Sequence, residues 1–158
     1  MTIRLLESKD QTEVIQIMME HPLQFPKFII DKYPERWGGF LNPSSGSCQY
    51  YVAYNEVNTV MGHAGYIFND EVGLYEIVGV AVKKDAQRQG IGKALINMIC
   101  SRLNELNEKK VILYTLGHVG NEDTITFYRN IGFELINQEL DFFRNGYHRV
   151  TLIKHLGN

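Results

Sequence analysis

The clearest chemical feature of the sequence is a heptapeptide that combines glycines with polar and basic side chains. It consists of Gln87, Arg88, Gln89, Gly90, Ile91, Gly92 and Lys93. The segment follows an apolar run and opens an amphipathic one, so its backbone N–H groups point toward a place where a helix dipole also favours an anion. Glycines let a pyrophosphate approach the backbone, and the basic side chains add positive charge. We consider a phosphate site and a purely structural turn equally compatible with these residues alone.

Two familiar phosphate motifs do not match this heptapeptide. A dinucleotide-binding fingerprint requires a third glycine at the position of Leu95. A P-loop requires Ser or Thr after Gly-Lys, at the position of Ala94. If the heptapeptide binds phosphate, it does so in another kind of domain.

A second candidate is a tyrosine on the helix predicted over residues 121–131. Thr124, Phe127, Tyr128 and Ile131 share one face of this helix, so Tyr128 points inward. A buried tyrosine requires a partner for its hydroxyl group, which a ligand can supply. The alternative is an ordinary core tyrosine whose hydroxyl group is satisfied by the protein, and for an isolated tyrosine this alternative is the more common one.

The elements that carry these residues alternate between strands and helices. We predict strands over residues 2–6, 49–54, 59–68, 73–82, 111–116, 133–139 and 147–155. Helices are predicted over residues 10–22, 26–33, 91–106 and 121–131. Asp10 and Glu13 are expected to form a capping box, Pro34 to end the second helix, and Gly38, Gly39 and residues 43–46 to form a loop. The strand–helix–strand unit at 74–116 implies two parallel strands inside an otherwise antiparallel sheet.

Length and composition exclude several classes of protein. A chain of 158 residues with 44% hydrophobic residues is expected to form one domain, residues 1–158. Cys48 and Cys100 lack the spacing of a zinc ribbon, a redox pair or a disulfide framework, which favours a reducing cytoplasm. The net charge of −2 offers no general basic surface for nucleic acid or an anionic membrane. No apolar stretch approaches the roughly 18 residues that span a bilayer.

In combination, the two candidate segments resemble a known superfamily. The order strand, Gln-x-x-Gly-x-Gly, helix, strand and then Asn-x-x-x-x-x-Phe-Tyr-x-x-x-Gly-Phe is similar to that of the GNAT acyl-CoA-dependent N-acetyltransferases. The motifs lie between Tyr75 and Phe133, and Thr124 stands where many members have alanine. The resemblance implies an α+β fold (α/β sandwich) with a mixed, mostly antiparallel sheet of about seven strands. About four helices flank this sheet, which splays between a parallel pair of strands in its middle.

The resemblance also implies where acetyl-CoA binds, namely in the gap between the strands at 74–82 and 111–116. Backbone groups of Val80 and Val82 would bond the pantetheine amides, and the heptapeptide at 87–93 would hold the pyrophosphate. Asn121 would contact the pantetheine arm. No metal is expected, because the histidines show no ligand spacing.

For catalysis, the resemblance implies that Tyr128 stands near the thioester sulfur. A phenol with a pKa of about 10 can donate a proton to the departing thiolate. The attacking amine, with a pKa of about 10.4, must first lose a proton. Glu76 is the candidate base, because the stretch Glu-Ile-Val-Gly-Val-Ala-Val resembles the strand of histone-acetylating members that carries this base. A Glu76 that faces solvent or pairs with a lysine is nearly as compatible with the sequence; a water chain or His118 would then be the base. An N–H near Val80, where the family's strand usually bulges, would meet the oxyanion.

The sequence therefore predicts a cytoplasmic N-acetyltransferase that moves the acetyl group from acetyl-CoA to a primary amine by direct attack in a ternary complex. The acceptor is a small molecule or a peptide, and the chain is a monomer or a homodimer that binds neither nucleic acid nor membrane. The alternatives are a non-catalytic acyl-CoA-binding or sensing module and an unrelated nucleotide-binding domain. Family analogy places the acceptor pocket at residues 21–40 and 139–147, where the candidates are Phe25, Phe28, Tyr33, Trp37, Asp141, Phe142, Phe143 and Tyr147. These aromatic and acidic side chains suit a cationic amine with some apolar surface.

Overall fold

The computed structural model of the protein describes residues 1–41, 47–117 and 121–157. The strands are β1 (Thr2–Leu5), β2 (Cys48–Tyr54), β3 (Val60–Asn69), β4 (Leu74–Val82), β5 (Lys110–Leu116), β6 (Glu134–Arg144) and β7 (Tyr147–His155). The helices are α1 (Gln11–Met19), the single turn α2 (Lys27–Ile30), α3 (Tyr33–Leu41), α4 (Ile91–Glu105) and α5 (Glu122–Asn130). Short 3-10 turns precede α1 at Ser8–Asp10 and α4 at Lys84–Ala86.

The seven strands form one mixed sheet in the order β1-β2-β3-β4-β5-β7-β6. All neighbours are antiparallel except β4 and β5, which α4 connects as a crossover. These two strands pair only from Tyr75 with Val111 to Ile77 with Leu113, and beyond that point they have no common register. The splayed parallel pair and the fold class predicted from the sequence are thus confirmed.

Both faces of the sheet are covered, as the uncharged run in β4 predicted. Ile77 packs on the face with α4 and α5, whereas Val78 packs on the face with α1 and α3. The apolar stripe of α4 is fully buried against the sheet, as its helical periodicity indicates. Two packed layers therefore hold β4 from both sides and leave the opening toward β5 as the place where this strand lacks a neighbour.

A bulge interrupts β4 next to this opening. Between the pairs His63–Ala81 and Gly65–Val78, β3 advances two residues while β4 advances three. Gly79 lies inside the bulge with a φ of 67°, and a Cβ atom there would be 2.8 Å from His63 Cε1. Only glycine adopts this conformation without strain at so close an approach. The bulge leaves Val80 without a register partner on either neighbouring strand.

His63 holds the bulge in place from the core. Its Nδ1 lies 2.8 Å from the Gly79 carbonyl oxygen, and Trp37 Nε1 donates a hydrogen bond of 3.1 Å to its Nε2. Because Nε2 accepts, the proton of the neutral ring is on Nδ1, which donates to Gly79. His63 has no solvent exposure, and this burial lowers its pKa to about 4, so the ring is neutral at pH 7.

Four local predictions are wrong, each because a tertiary contact or an alternative turn takes precedence. The capping box is formed by Glu7 and Asp10 around the 3-10 turn, since Asp10 also accepts a hydrogen bond from the Arg4 guanidinium at 2.6 Å. The Glu13 carboxylate instead accepts the Val60 N–H at 3.2 Å. Pro34 lies in the first turn of α3, where a helix does not need its N–H.

The other two wrong predictions concern helix α3 and the hairpin of β6 and β7. Gly38 and Gly39 continue α3 rather than forming a loop, and residues 43–46 lie outside the described residues. Strand β6 extends to Arg144, so the expected loop at 139–147 shrinks to a turn in which the Asp141 carboxylate accepts the Gly146 N–H at 2.7 Å. No helix in the described part of the chain has the length and apolar character needed to cross a membrane.

Candidate active site

Two adjoining cavities open where β4 and β5 diverge. The first, called the Glu76 cavity, has a volume of about 340 Å³ and lies among β4, β5, the α2–α3 segment and the ends of β6 and β7. The second, called the α4 cavity, has a volume of about 610 Å³ and lies between the start of α4 and α5. Gln24, Val80 and Tyr128 line both cavities. The two cavities therefore meet at these three side chains.

The α4 cavity contains most of the heptapeptide predicted to bind phosphate. Its lining includes Gln87, Arg88, Gly90, Ile91, Gly92, Lys93, Val80 and Val82, whereas Gln89 is exposed outside the cavity. Gly90 caps α4 with a φ of 77°, and a Cβ atom there would meet no atom within 4 Å. The first N–H groups of a helix have no partner inside the helix. They open here toward a cavity with two basic side chains, which is an arrangement suited to an anion such as pyrophosphate.

Two predicted cofactor contacts have partners in the protein itself. The Val82 carbonyl oxygen lies 2.7 Å from His21 Nε2, and because a carbonyl only accepts, this nitrogen carries the proton. Asn121 is buried, its side-chain amide donates to the Leu116 carbonyl, and it lines neither cavity. Its packing ties the end of β5 to the start of α5. The contacts of both residues with pantetheine stay predictions.

Tyr128 lies at the junction of the two cavities and points inward, as its helix face predicted. Its ring packs edge-on against Phe127 and Phe133, with centroid distances of 5.2 and 5.7 Å. No hydrogen bond from another described residue acts on its hydroxyl group. Burial raises the pKa of Tyr128 well above the usual value, so the phenol is protonated at neutral pH. The Tyr128 phenol therefore carries the proton that a general acid must donate, and Tyr128 lines both cavities.

Glu76 lines the Glu76 cavity near the last paired residues of β4 and β5. Asn69 Nδ2 donates a hydrogen bond of 3.1 Å to one of its carboxylate oxygens. Burial raises the pKa of Glu76 above its ordinary value, and the hydrogen bond from Asn69 and the charges of Arg36 and Lys32 offset part of this rise. A half-buried carboxylate with a raised pKa is a stronger base than one in water. The solvent-facing alternative for Glu76 is therefore less favoured.

Several residues of the site carry no motif in the sequence. Lys32, Arg36 and Arg149 line the Glu76 cavity, where the sequence predicted acids and aromatic rings. Arg149 lies between two rings, 4.3 Å from the centre of Tyr114 and 3.7 Å from that of Phe142. Lys32 and Arg36 are one helical turn apart on either side of Pro34, but this spacing does not indicate which face of the segment meets the sheet.

A hydrogen bond between two segments that are distant in sequence lies near the junction of the cavities. Gln24 Nε2 donates to Thr124 Oγ1 at 2.5 Å, which joins the segment after α1 to α5. Many members of the GNAT superfamily have alanine at the position of Thr124. In this chain the threonine hydroxyl group accepts the hydrogen bond from Gln24, which an alanine could not do. His118, the alternative base, lies outside the described residues.

Half of the aromatic and acidic candidates for the acceptor pocket line the Glu76 cavity. Those that do are Phe25, Tyr33, Phe142 and Phe143. Trp37 is instead fully buried against His63, and Phe28 packs on Phe143 and Tyr147 behind the cavity wall. The Asp141 carboxylate is used in the β6–β7 turn. The acids that line the cavity are Glu71 and Glu76.

Comparison with known proteins decides which family has this arrangement. Residues 14–133 match the acetyltransferase (GNAT) family. The chain belongs to the GNAT family. It is thus an acetyltransferase of a family that uses acetyl-CoA. No curated protein sequence shows significant similarity to the chain.

Solved structures of other GNAT proteins share the fold at low sequence identity. A protein from Desulfovibrio desulfuricans assigned to the GNAT family superposes with a TM-score of 0.85 at 17% identity, covering 99% of both chains. A spermidine N-acetyltransferase chimera from Vibrio cholerae and hSSAT has a TM-score of 0.77 at 17% identity, covering 98% of this chain and 94% of the other. An aminoglycoside 6'-N-acetyltransferase in complex with coenzyme A has a TM-score of 0.76 at 14% identity, covering 100% and 98%. At these identities the likeness establishes the fold.

We expect Gly92→Val to weaken acetyl-CoA binding much more than it weakens folding. A Cβ atom at Gly92 would lie 3.2 Å from Phe127 Cζ and 3.5 Å from Val82 Cγ2, so a branched side chain would crowd two residues that line the α4 cavity. The dissociation constant of acetyl-CoA, measured by calorimetry, should rise at least about tenfold, or 1.4 kcal/mol. The melting temperature without ligand should fall by only a few degrees. Ser101→Val, on the exposed side of α4, is the control, and normal binding by Gly92→Val would make this turn purely structural.

Proposed function

We propose that the protein transfers the acetyl group of acetyl-CoA to a primary amine by direct attack in a ternary complex. One observation carries the proposal: Tyr128 and Val80 line both the cavity with the phosphate-binding features and the cavity with the candidate base. A thioester that enters from the α4 cavity would meet an amine from the Glu76 cavity at this junction. The related structures named for spermidine and aminoglycoside acetylation support an amine as the acceptor.

The residues of the α4 cavity would hold the cofactor. The backbone from Arg88 to Lys93 would bind its pyrophosphate, and the backbone of Val80 and Val82, on the edge of β4 that has no β5 partner, would bind its pantetheine arm, with the Val82 carbonyl shared with His21. When bound, acetyl-CoA supplies an acetyl group activated as a thioester. Bound in this way, the pantetheine arm would lie along the edge of β4, and Tyr128 would stand beside its sulfur.

Glu76 would act on the amine as a general base. The substrate arrives mainly as an ammonium ion, since the pKa of such a group is about 10.4. The Glu76 carboxylate accepts one proton and leaves the nitrogen lone pair free for attack. The rise in its pKa caused by burial brings this base closer to neutral pH.

The transfer itself forms one bond and breaks another. The amine nitrogen bonds to the thioester carbonyl carbon, and the carbon–sulfur bond breaks with its electron pair on sulfur. The thiolate takes the phenolic proton of Tyr128. The nitrogen loses its second proton, which restores the phenol by way of solvent, and Glu76 returns the first proton to solvent. The products are the N-acetyl amide and coenzyme A. During the attack the N–H of Val80, which the bulge at Gly79 leaves without a strand partner, stabilises the negative charge on the carbonyl oxygen.

A covalent acyl-enzyme has no support in the site. The two cysteines, Cys48 and Cys100, line neither cavity. Burial raises the pKa of both thiols, which disfavours the reactive thiolate form. Direct attack by the amine therefore remains the simpler route. A cytoplasmic location, the absence of a metal, and a monomeric or homodimeric state stay predictions from the sequence.

Acetyl-CoA should stabilise the native protein, because the proposed site exists only when β4 and α4 are folded. At a hundred times its dissociation constant the ligand contributes about 2.7 kcal/mol to the free energy of unfolding. For a domain of this size the melting temperature should rise by roughly 5–10 °C, which thermal denaturation followed by circular dichroism would detect. ATP and NAD are the controls. A melting temperature indifferent to millimolar acetyl-CoA and coenzyme A would contradict the proposal, and thiol release that needs no amine would contradict direct transfer.

A further inference from the structure

The Glu76 cavity contains more positive than negative charge, although its proposed guest is itself a cation before it reacts. Its charged lining residues are Lys32, Arg36, Arg149, Glu71 and Glu76. Arg149 already has a partner, because its Nε lies 2.7 Å from a carboxylate oxygen of Glu139. Among the described residues, no carboxylate oxygen lies within 4.0 Å of Lys32 Nζ or of the Arg36 guanidinium. Within the described part of the protein, Lys32 and Arg36 therefore form no direct ion pair, and the Glu76 carboxylate acts on both only from a longer distance.

Aromatic rings of the same cavity hold these two cations. Lys32 Nζ lies 5.8 Å from the ring centre of Phe143, and Arg36 Cζ lies 5.2 Å from that of Tyr33. Such cation–π contacts orient a charge without neutralising it. Burial lowers the pKa of Lys32, the nearby positive charge of Arg36 lowers it further, and the charge of Glu76 opposes both effects. An anion bound between them would relieve this repulsion.

The cofactor does not explain Lys32 and Arg36. Its phosphates have their own basic residues, Arg88 and Lys93, which line the α4 cavity and not the Glu76 cavity. Lys32 and Arg36 are therefore available to pair directly with an anionic group of the other substrate. A polyamine would instead place further ammonium groups beside these two cations, where like charges repel.

Resting on the proposed function, we propose that the acceptor is a small amine that also carries an anionic group, as a free amino acid does. Its anion lies between Lys32 and Arg36, and its amine lies beside Glu76. Phe25, Ile29 and Phe142 line the same cavity and offer an apolar surface to the rest of the molecule. The cavity volume of about 340 Å³ suits a guest of this size.

The test compares acceptors that share an amine and differ in charge. Aromatic, aliphatic and acidic amino acids are each assayed beside the corresponding amide and the decarboxylated amine, with spermidine as a polycation, by release of the coenzyme A thiol. We expect kcat/KM to be at least about tenfold higher for the anion-carrying member of each set. The amide group lowers the pKa of the neighbouring ammonium and so increases its free-amine fraction, which works against the expected result. Aminoalkyl phosphonates distinguish a carboxylate from a phosphonate as the preferred anion.

Variants of the two cations connect this preference to the cavity. With the amino acid, Arg36→Gln and Lys32→Gln should each lower kcat/KM about tenfold, mainly through KM, while kcat/KM for the amide changes less than about twofold. Lys27→Gln is the control, because this lysine lies on α2 with 88% of its side chain exposed and lines neither cavity. Equal or better turnover of the amide, the decarboxylated amine or spermidine would overturn the inference. So would an equal loss for acid and amide in Arg36→Gln.

A binding measurement separates this inference from the proposed function. If no amine releases coenzyme A from acetyl-CoA, the proposed function fails, but the charge preference is still decided by calorimetry. An N-acetyl amino acid and its amide are titrated into the protein saturated with coenzyme A. At least about tenfold tighter binding of the acid, lost in Arg36→Gln, supports the inference. Equal affinities, or no binding of either compound, overturn it.

Discussion

Tyr128→Phe is expected to lower the turnover number by about 10²- to 10⁴-fold, the range typical of a general acid. The ring would still pack against Phe127 and Phe133, and the cavity shape would be kept. The hydroxyl group has no described protein partner, so its removal should not destabilise the fold. Steady-state kinetics and calorimetric titration of acetyl-CoA would then show lost turnover with an unchanged dissociation constant.

Tyr114→Phe is the matched control for this experiment. Tyr114 lines the Glu76 cavity but not the α4 cavity, so it is not at the junction where the sulfur is expected. Its variant should keep the turnover number within a few-fold of the parent. If Tyr128→Phe also keeps its turnover number, the departing thiolate takes its proton from elsewhere, and the acid assigned here is wrong.

Glu76→Gln should lower the rate at neutral pH by a similar factor and change the shape of the pH profile. In the parent the rate decreases as the pH is lowered, because the Glu76 carboxylate becomes protonated. The raised pKa of Glu76 shifts this decrease to higher pH. The variant cannot accept a proton, so its rate should follow the free-amine fraction and rise about tenfold per pH unit toward the pKa of the amine. Rates measured from pH 6 to 10 for both proteins make the comparison.

The stability of Glu76→Gln provides a check on folding. Burial raises the pKa of Glu76 above 4.5, so between this value and its pKa in the folded state the native protein binds more protons than the unfolded chain. The free energy of unfolding therefore falls as the pH rises through this range. Glutamine removes this effect and keeps an oxygen for the bond from Asn69, so the variant should be at least as stable at pH 7. Glu71→Gln removes the same charge from the same cavity and should keep the parent's pH profile. If Glu76→Gln also keeps it, a water chain or His118 is the better base.

Local patterns predicted most elements, because they depend on residues close in sequence. The apolar stripe of α4 and the glycines before it predicted both the helix and its start. Tyr128 lies on the apolar face of α5, and this face predicted that its side chain points into the protein. The predictions failed where a partner lies far along the chain. Asp10 joins a different capping box because Arg4 binds it. Strand β6 extends to Arg144 because Arg144 pairs with Tyr147 of β7, a contact that the sequence of β6 does not reveal.

The sequence by itself determined the family, the order of strands and helices, and the residue types of the turn proposed to bind phosphate, because each is encoded by short-range spacing. The splay between β4 and β5 was predicted, but only the tertiary structure decided that it begins after Ile77 and Leu113, and that Tyr128 lies where two cavities meet. It also brought Lys32 and Arg36 beside Glu76, which changes the expected acceptor from a simple cation to an amine with an anionic group. Charges that are distant in sequence interact only after the chain folds, and no local pattern records which of them will share one cavity.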